Sequence, residues 1–218
     1  MLINLGREIA GIARLLGAGN PLDLPRVARR HGSWNHADIE WLVRKVSNVA
    51  GDFAEIGVFR GDAFRKVAEL AALQNKHAHA FDSFSGMAEP TVADGTDYPK
   101  GKFNIGGPAE FGRLMTKAGI ASKHYTMWAG YVPECFATVP CELKFSFVIL
   151  DLDHYQPTVH SLPWLSPRIN QGGILALDDF VAGSSGLATK AIREFLTADQ
   201  SFRKIAEFNQ QLILQKRT

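Results

Sequence analysis

The run Phe145-Ser-Phe-Val-Ile-Leu-Asp151 restricts the possible folds of this chain more than any other segment. It is short for a helix, and it lacks the apolar–polar alternation of a strand with one wet face. It therefore reads as a strand buried on both sides, near the centre of a parallel sheet. A second run, Gly173-Ile-Leu-Ala-Leu-Asp-Asp179, also ends in acids. Phe53 to Val58 is another strand-length apolar stretch, followed by the turn Arg60-Gly61-Asp62 and a helix carrying Phe64, Val67, Ala68 and Ala71. His77 to Asp82 and Tyr125 to Trp128 read as extended, and Glu110 to Ala118 as helical. A helix is expected over Thr158–Arg168, stopping at Gln171-Gly172-Gly173, where glycine can take the left-handed conformation of a helix end. A further helix is expected over Thr189–Leu196. The chain closes with two runs on either side of Asn209, suited to an antiparallel pair.

Strands alternating with helices predict a doubly wound α/β sheet. Ligands bind such sheets at the carboxyl ends of the strands. Ahead of the sheet, Leu5, Ile9, Ile12 and Leu16 fall at helical spacing before a break at Gly19, Asn20 and Pro21. A second helix is capped by Asn35 and repeats Ile39, Leu42, Val46 and Val49 on one face. The expected organisation is a helical extension or lid over residues 1–50 and one globular unit over 51–218. Gly86 to Pro108, with Asp94, Asp97, Tyr98 and Lys100, has no clear period and is expected to cover the site.

Lys and Arg total 24 against 22 Asp and Glu, so no global field draws the molecule to nucleic acid or an acidic membrane. Arg7, Glu8 and Arg14 interrupt the first apolar stretch, and no run approaches the roughly 20 apolar residues of a membrane span. The expectation is a cytoplasmic protein without signal peptide or anchor. Cys135 and Cys141 lack the spacing of a disulfide framework or zinc cluster, and are expected as two buried or half-buried thiols in a reducing compartment.

Three strand ends carry chemistry. In Glu55-Ile-Gly57-Val-Phe59-Arg60-Gly61 the glycines allow a sharp turn and close approach of a ligand, although the spacing is not that of a dinucleotide fingerprint. Glu55 suits a ligand bearing an ammonium group, but the segment can equally be a plain strand–helix turn. Asp82, ending the next strand beside Ser83, can accept hydrogen bonds from ribose hydroxyls or can cap a turn. Asp151 and Asp153, with Asp178 and Asp179, place four carboxylates at neighbouring strand ends. Desolvated together they repel, and a hard divalent cation would resolve the conflict; solvated loop caps are the alternative. His154 is close enough to take a proton from whatever such a cation holds. The other histidines, His31, His36, His77, His79, His124 and His160, read as structural.

In this order, AEIGVFRGDAF (54–64), HAFDSFSGM (79–87), WAGYVPECF (128–136), VILDLDHYQPT (148–158) and SPRINQGGILALDDF (166–180) resemble the macrocin O-methyltransferase family. Its members are S-adenosylmethionine-dependent, Mg²⁺-requiring sugar O-methyltransferases of macrolide and aminocoumarin biosynthesis. The resemblance implies the class I methyltransferase sheet, Rossmann-like, with seven strands and the last antiparallel. It implies Asp151, Asp178 and Asp179 as ligands of Mg²⁺ or Mn²⁺. It places Glu55 and Gly57, with Phe59, Arg60 and Gly61 of the same turn, at the methionine part of the cofactor, Asp82 and Ser83 at the ribose, and Gly130 and Tyr131 at the adenine. Either Asp151 or His154 is implied as the base.

The expected activity is metal-dependent methyl transfer to a hydroxyl of a small polar acceptor, a sugar or polyol. Catechol-type phenols are an alternative acceptor. A nicotinamide oxidoreductase on a similar sheet and a non-catalytic cofactor-binding domain are rival readings. The acceptor's identity and the oligomeric state, a homo-oligomer included, stay open.

Overall fold

The computed structural model describes residues 34–183 and 186–218. The expected helix over Leu5–Leu16, its break at Gly19–Pro21 and His31 lie outside these residues. Seven strands form one sheet: β1 (Asp52–Ile56), β2 (Ala78–Asp82), β3 (Tyr125–Ala129), β4 (Phe145–Leu150), β5 (Ile169–Leu177), β6 (Phe202–Phe208) and β7 (Gln211–Lys216). Their order is β3-β2-β1-β4-β5-β7-β6. The first five pair in parallel, and β7 runs antiparallel to both β5 and β6. This is the class I methyltransferase arrangement.

The helices are α1 (His36–Lys45), α2 (Phe64–Leu73), α3 (Pro108–Lys117), α4 (Tyr155–Leu165) and α5 (Leu187–Ala198). Asn35 caps α1 as the sequence predicts, its side chain accepting from the Ala37 N–H at 2.9 Å. Ile39, Leu42, Val43 and Val46 of that segment are buried in the same core as α2 and one sheet face. The other face packs on α4 and α5. Along β4, Phe147 and Ile149 enter the first core while Val148 and Leu150 enter the second, so the uninterrupted apolar run is explained by burial on both sides. No helix among the described residues is long and apolar enough to cross a membrane.

Two expectations are corrected. The helix predicted over Thr158–Arg168 begins earlier, at Tyr155, and ends at Leu165 in a 3₁₀ turn over Ser166–Arg168. Gly172 and Gly173 do not stop it, because they lie inside β5. Phe145 pairs with Ile169 but Phe147 with Ile174, so residues 170–173 bulge opposite Ser146. A Cβ on Gly173 would lie 2.8 Å from the Asn170 carbonyl oxygen, and Gly172 has φ +79°. The glycine pair serves a strand irregularity, which single-sequence patterns do not separate from a helix end. Cys135 is buried as expected, but Cys141 is exposed.

The parallel register aligns the carboxyl ends of the central strands. Beyond the paired row of Phe81, Ile56, Leu150 and Leu177, single backbone hydrogen bonds continue each ladder. The N–H groups of Gly130, Gly57, Asp151 and Asp178 donate to the carbonyls of Asp82, Phe81, Ile56 and Leu150 at 2.8–2.9 Å. Gly57 occupies the crowded middle of that row. Its φ is +88°, and a Cβ there would sit 1.7 Å from the Asp151 carbonyl oxygen. Gly119, after α3, has a similar φ of +83° but open space around the missing Cβ. Gly119→Ala should therefore cost about 1 kcal/mol, the conformational penalty alone. Gly57→Ala should cost at least about 3 kcal/mol, because backbone must move as well. Urea denaturation of the two variants checks this, and equal losses would refute the packing argument.

Candidate active site

The strand-end row opens into a cavity of about 400 Å³, within the size range of small-molecule sites. At one end, β1 turns into α2 through Val58–Ala63 and β2 turns at Ser83. Asp82 joins the two turns: its Oδ2 accepts from the Phe59 N–H at 3.0 Å and its Oδ1 from the Phe84 N–H at 2.6 Å. Burial raises its pKa against these bonds. The Val58 N–H and the Ser83 side chain also approach it, so a ligand's hydroxyls would compete for its acceptor positions. The Ser83 hydroxyl is committed to its own turn, donating to the Gly86 carbonyl at 2.8 Å and accepting from the Ser85 N–H.

Of the sequence-derived cofactor residues, Gly57, Phe59, Asp82, Ser83, Gly130 and Tyr131 line the cavity. Glu55, Arg60 and Gly61 do not. Gly61 faces the other way, where a Cβ would meet the Met115 side chain at 2.3 Å, and Arg60 is exposed. Glu55 is 3% exposed, and its Oε2 has no partner in the protein. Burial, then the charges of Asp82 and Asp178, raise its pKa well above the usual carboxylate range.

At the other end lie the acids. One ligand oxygen each from Asp151, Asp153 and Asp179 falls within 4.8 Å of the others. Asp153 and Asp179 both have φ +57°, a left-handed conformation that aspartate tolerates at about 1 kcal/mol or more. The Asp153 N–H donates to Asp179 Oδ2 at 3.1 Å. Thr189, on α5, braces this turn: its hydroxyl donates to the Asp179 carbonyl and accepts from the Val181 N–H. Asp178 turns inward instead, hydrogen-bonded to Asp151 and approached by the Gln211 side chain. Two carboxyl groups can bond in this way only if one keeps a proton. Burial pushes Asp178 up to about 6. Burial and the charges of Asp153 and Asp178 push Asp179 up to about 7. Burial, then Asp178 and Asp179, raises Asp151 well above its usual range. The donor set is all oxygen and its charge is met only in part, by Lys102 and His154 near Asp153, so these residues fit a hard divalent cation.

His154 caps the α4 side of the cluster, 3% exposed, and its buried Nε2 lacks a protein partner. His77 bonds Thr126, and His79 sits between Asp52 and the Trp128 N–H, away from the cavity. His160 is exposed but does line the cavity wall.

The aperiodic segment forms a closed loop over the cavity. The Gly107 N–H donates to the Phe84 carbonyl at 2.9 Å, and Met87 ties to Lys102 and Gly101 through backbone bonds. Asp94 fixes the loop to α4: its Oδ1 accepts from the Gln156 N–H at 2.9 Å while Oδ2 holds Thr91. The trio differs from the set that the resemblance implies: Asp153, expected only as one of four strand-end carboxylates, stands with Asp151 and Asp179 where Asp178 was expected. Gln211 carried no signal, since its approach depends on the final hairpin.

A family model described as Macrocin-O-methyltransferase (TylF) matches residues 21–213. Among solved structures, the calicheamicin methyltransferase CalS11 is similar, with 23% identity over 83% of this chain and 77% of its own, and a TM-score of 0.68. The O-methyltransferase NovP aligns with a TM-score of 0.71 at 20% identity, covering 84% and 79%. Apo CalS11, described as a TDP-rhamnose 3'-O-methyltransferase of calicheamicin biosynthesis, gives 0.60 at 20% identity, covering 83% and 78%. A search of curated protein sequences found no match.

Carboxyl groups whose folded-state pKa is raised stabilise the fold below their unfolded pKa and lose that contribution as pH rises. For Asp178 and Asp179 the window runs from about 4, the unfolded value, to about 6 and about 7. A divalent cation competes with those protons. Millimolar Mg²⁺ should therefore raise the melting temperature more at pH 8 than at pH 5.5, measured against EDTA. An equal shift at both values would refute the assignment of a cation to these acids.

Proposed function

The chain belongs to the macrocin O-methyltransferase family, and on that premise we propose that it moves the methyl group of S-adenosylmethionine to a hydroxyl of a sugar or polyol, assisted by Mg²⁺ or Mn²⁺. It is an O-methyltransferase by family. The observation that carries the finer reading is the meeting, in one cavity, of a nucleotide-type strand end at Asp82 with Asp151 and Asp153, two members of an oxygen-only acidic cluster that Asp179 completes just behind the cavity wall.

Asp151, Asp153 and Asp179 would hold the ion, and Asp178, turned toward Asp151, would stand behind them. Gly57 and Phe59 serve the methionine end of the cofactor, with Glu55 buried behind them, Asp82 beside Ser83 serves the ribose, and Gly130 and Tyr131 the adenine; Arg60 and Gly61, which do not line the cavity, take no part. When bound, the cofactor supplies a methyl group on a sulfonium and the ion supplies positive charge for two neighbouring acceptor oxygens. His154 receives the hydroxyl proton at Nε2, the buried ring atom that lacks a protein partner. Asp151 is less free for that role because it is engaged with Asp178. The loop over residues 84–107 excludes water and orients the acceptor. CalS11, described as acting on TDP-rhamnose, supports a sugar over a catechol.

Methyl-labelled S-adenosylmethionine, offered with a panel of nucleotide sugars, glycosides and catechols, tests the reading. Label should enter a sugar hydroxyl, vanish with EDTA and return with Mg²⁺ or Mn²⁺. Asp179→Asn, which can still accept from the Asp153 N–H, should lower turnover about a hundredfold or more. Full activity after exhaustive chelation would sink the metal assignment, and NAD(H) copurifying in place of the methyl donor would favour the oxidoreductase reading.

His154→Ala should keep calorimetric affinity for S-adenosylmethionine and Mn²⁺ while kcat drops by roughly 10²–10⁴. An unchanged kcat would transfer the base role to Asp151.

A further inference from the structure

We propose that Tyr98, in the loop over the cavity, is a positioning residue that holds the Asp153 carboxylate toward the cation, so that the loop and the ion site form one unit. This rests on the reading that the acidic cluster binds a divalent cation. Its basis is a set of contacts with no part in the roles assigned above. The Tyr98 hydroxyl faces the Asp153 carboxylate and is placed to donate to it. The phenol ring meets the His154 ring edge-on at 5.9 Å and lies 5.9 Å from Phe103. The Lys102 ammonium sits 4.0 Å over its face.

Asp153 needs such a brace. It stands on the short link between β4 and α4 with φ +57°, and its backbone N–H is spent on Asp179. Its carboxylate, within 4.8 Å of the Asp151 and Asp179 oxygens, could swing toward the Lys102 charge instead. A phenol fixed from the ring face by Lys102 and edge-on by His154 offers one O–H in one direction, which selects the inward rotamer. Outer partners of this kind typically change metal affinity 10–100-fold when removed.

The arrangement also couples loop to ion. Asp94 pins the loop to the start of α4 through its side-chain Oδ1, which accepts from the Gln156 N–H whether or not an ion is bound. Tyr98 joins it to a carboxylate that the ion would itself immobilise. Cation binding should then steady the loop around Tyr98, where Lys100 and Lys102 are exposed to protease.

Calorimetric titration of the full chain with Mn²⁺ tests this, comparing wild type, Tyr98→Phe, Asp153→Asn and the double variant. Tyr98→Phe should weaken Mn²⁺ binding about tenfold or more. The double variant should bind no worse than Asp153→Asn, because Tyr98 acts through that carboxylate. Mn²⁺ should slow tryptic cleavage at Lys100 and Lys102 in wild type and leave it unchanged in Tyr98→Phe. Equal Mn²⁺ affinity in wild type and Tyr98→Phe, or independent, additive losses in the double variant, would overturn the proposal while the metal reading stands. A wild type that binds no Mn²⁺ would overturn both.

Discussion

The parallel register of β2, β1, β4 and β5 is the constraint from which the rest of the site follows. It brings Asp82, Gly57, Asp151 and Asp178 into one row past the last paired residues. Adjacent parallel strands are about 4.8 Å apart, so residues that are far apart in sequence are forced together there. The row can close because Gly57 has no side chain: its missing Cβ is the space taken by the Asp151 carbonyl. A larger residue would part β1 from β4, and the cofactor end of the cavity would separate from the acidic end.

That register creates an electrostatic problem. Glu55, Asp151, Asp178 and Asp179 all have pKa values raised by burial, and each feels at least one of the other acids. The bond between Asp151 and Asp178 forms only when one of the two keeps a proton. The protein spends structure on maintaining this state. Asp153 and Asp179 sit in left-handed conformations, and Thr189 and the Phe180 N–H bond to the Gln210 carbonyl fix the Asp178–Phe180 turn from two sides. Strain gathered at mutually repelling, half-buried acids is typical of a ligand-binding site, since a cation can offset both costs at once.

Much of this was legible in the sequence because its signals are local. FSFVILD betrayed a doubly buried strand, each apolar run closing in an acid marked a strand end, and Asn35 announced the start of α1. The glycine pair 172–173 misled because a helix end and a bulged strand make the same local demand, a backbone without Cβ. Gly61 misled for a related reason, since packing against Met115 and close approach to a ligand both require glycine. Tyr98 was readable only as part of a segment covering the site, not as a neighbour of Asp153, and Gln211 was not readable as a site residue at all. Each reaches the acids by a path fixed in three dimensions, one through a loop closed by the Gly107–Phe84 bond and the other through the last hairpin.

The two routes into the site differ in how freely they can change. The strand-end row is held by backbone hydrogen bonds, so its geometry is nearly independent of side-chain identity away from Gly57. The loop over residues 84–107 is closed by its own backbone bonds and meets the rest of the site through a few side chains, notably Asp94 and Tyr98. Its other cavity-facing residues, Met87, Glu89 and Phe103 among them, can vary without disturbing the sheet. Such a division would let one scaffold keep its methyl-donor end fixed while the acceptor changes, because the loop is where substitution costs the fold least.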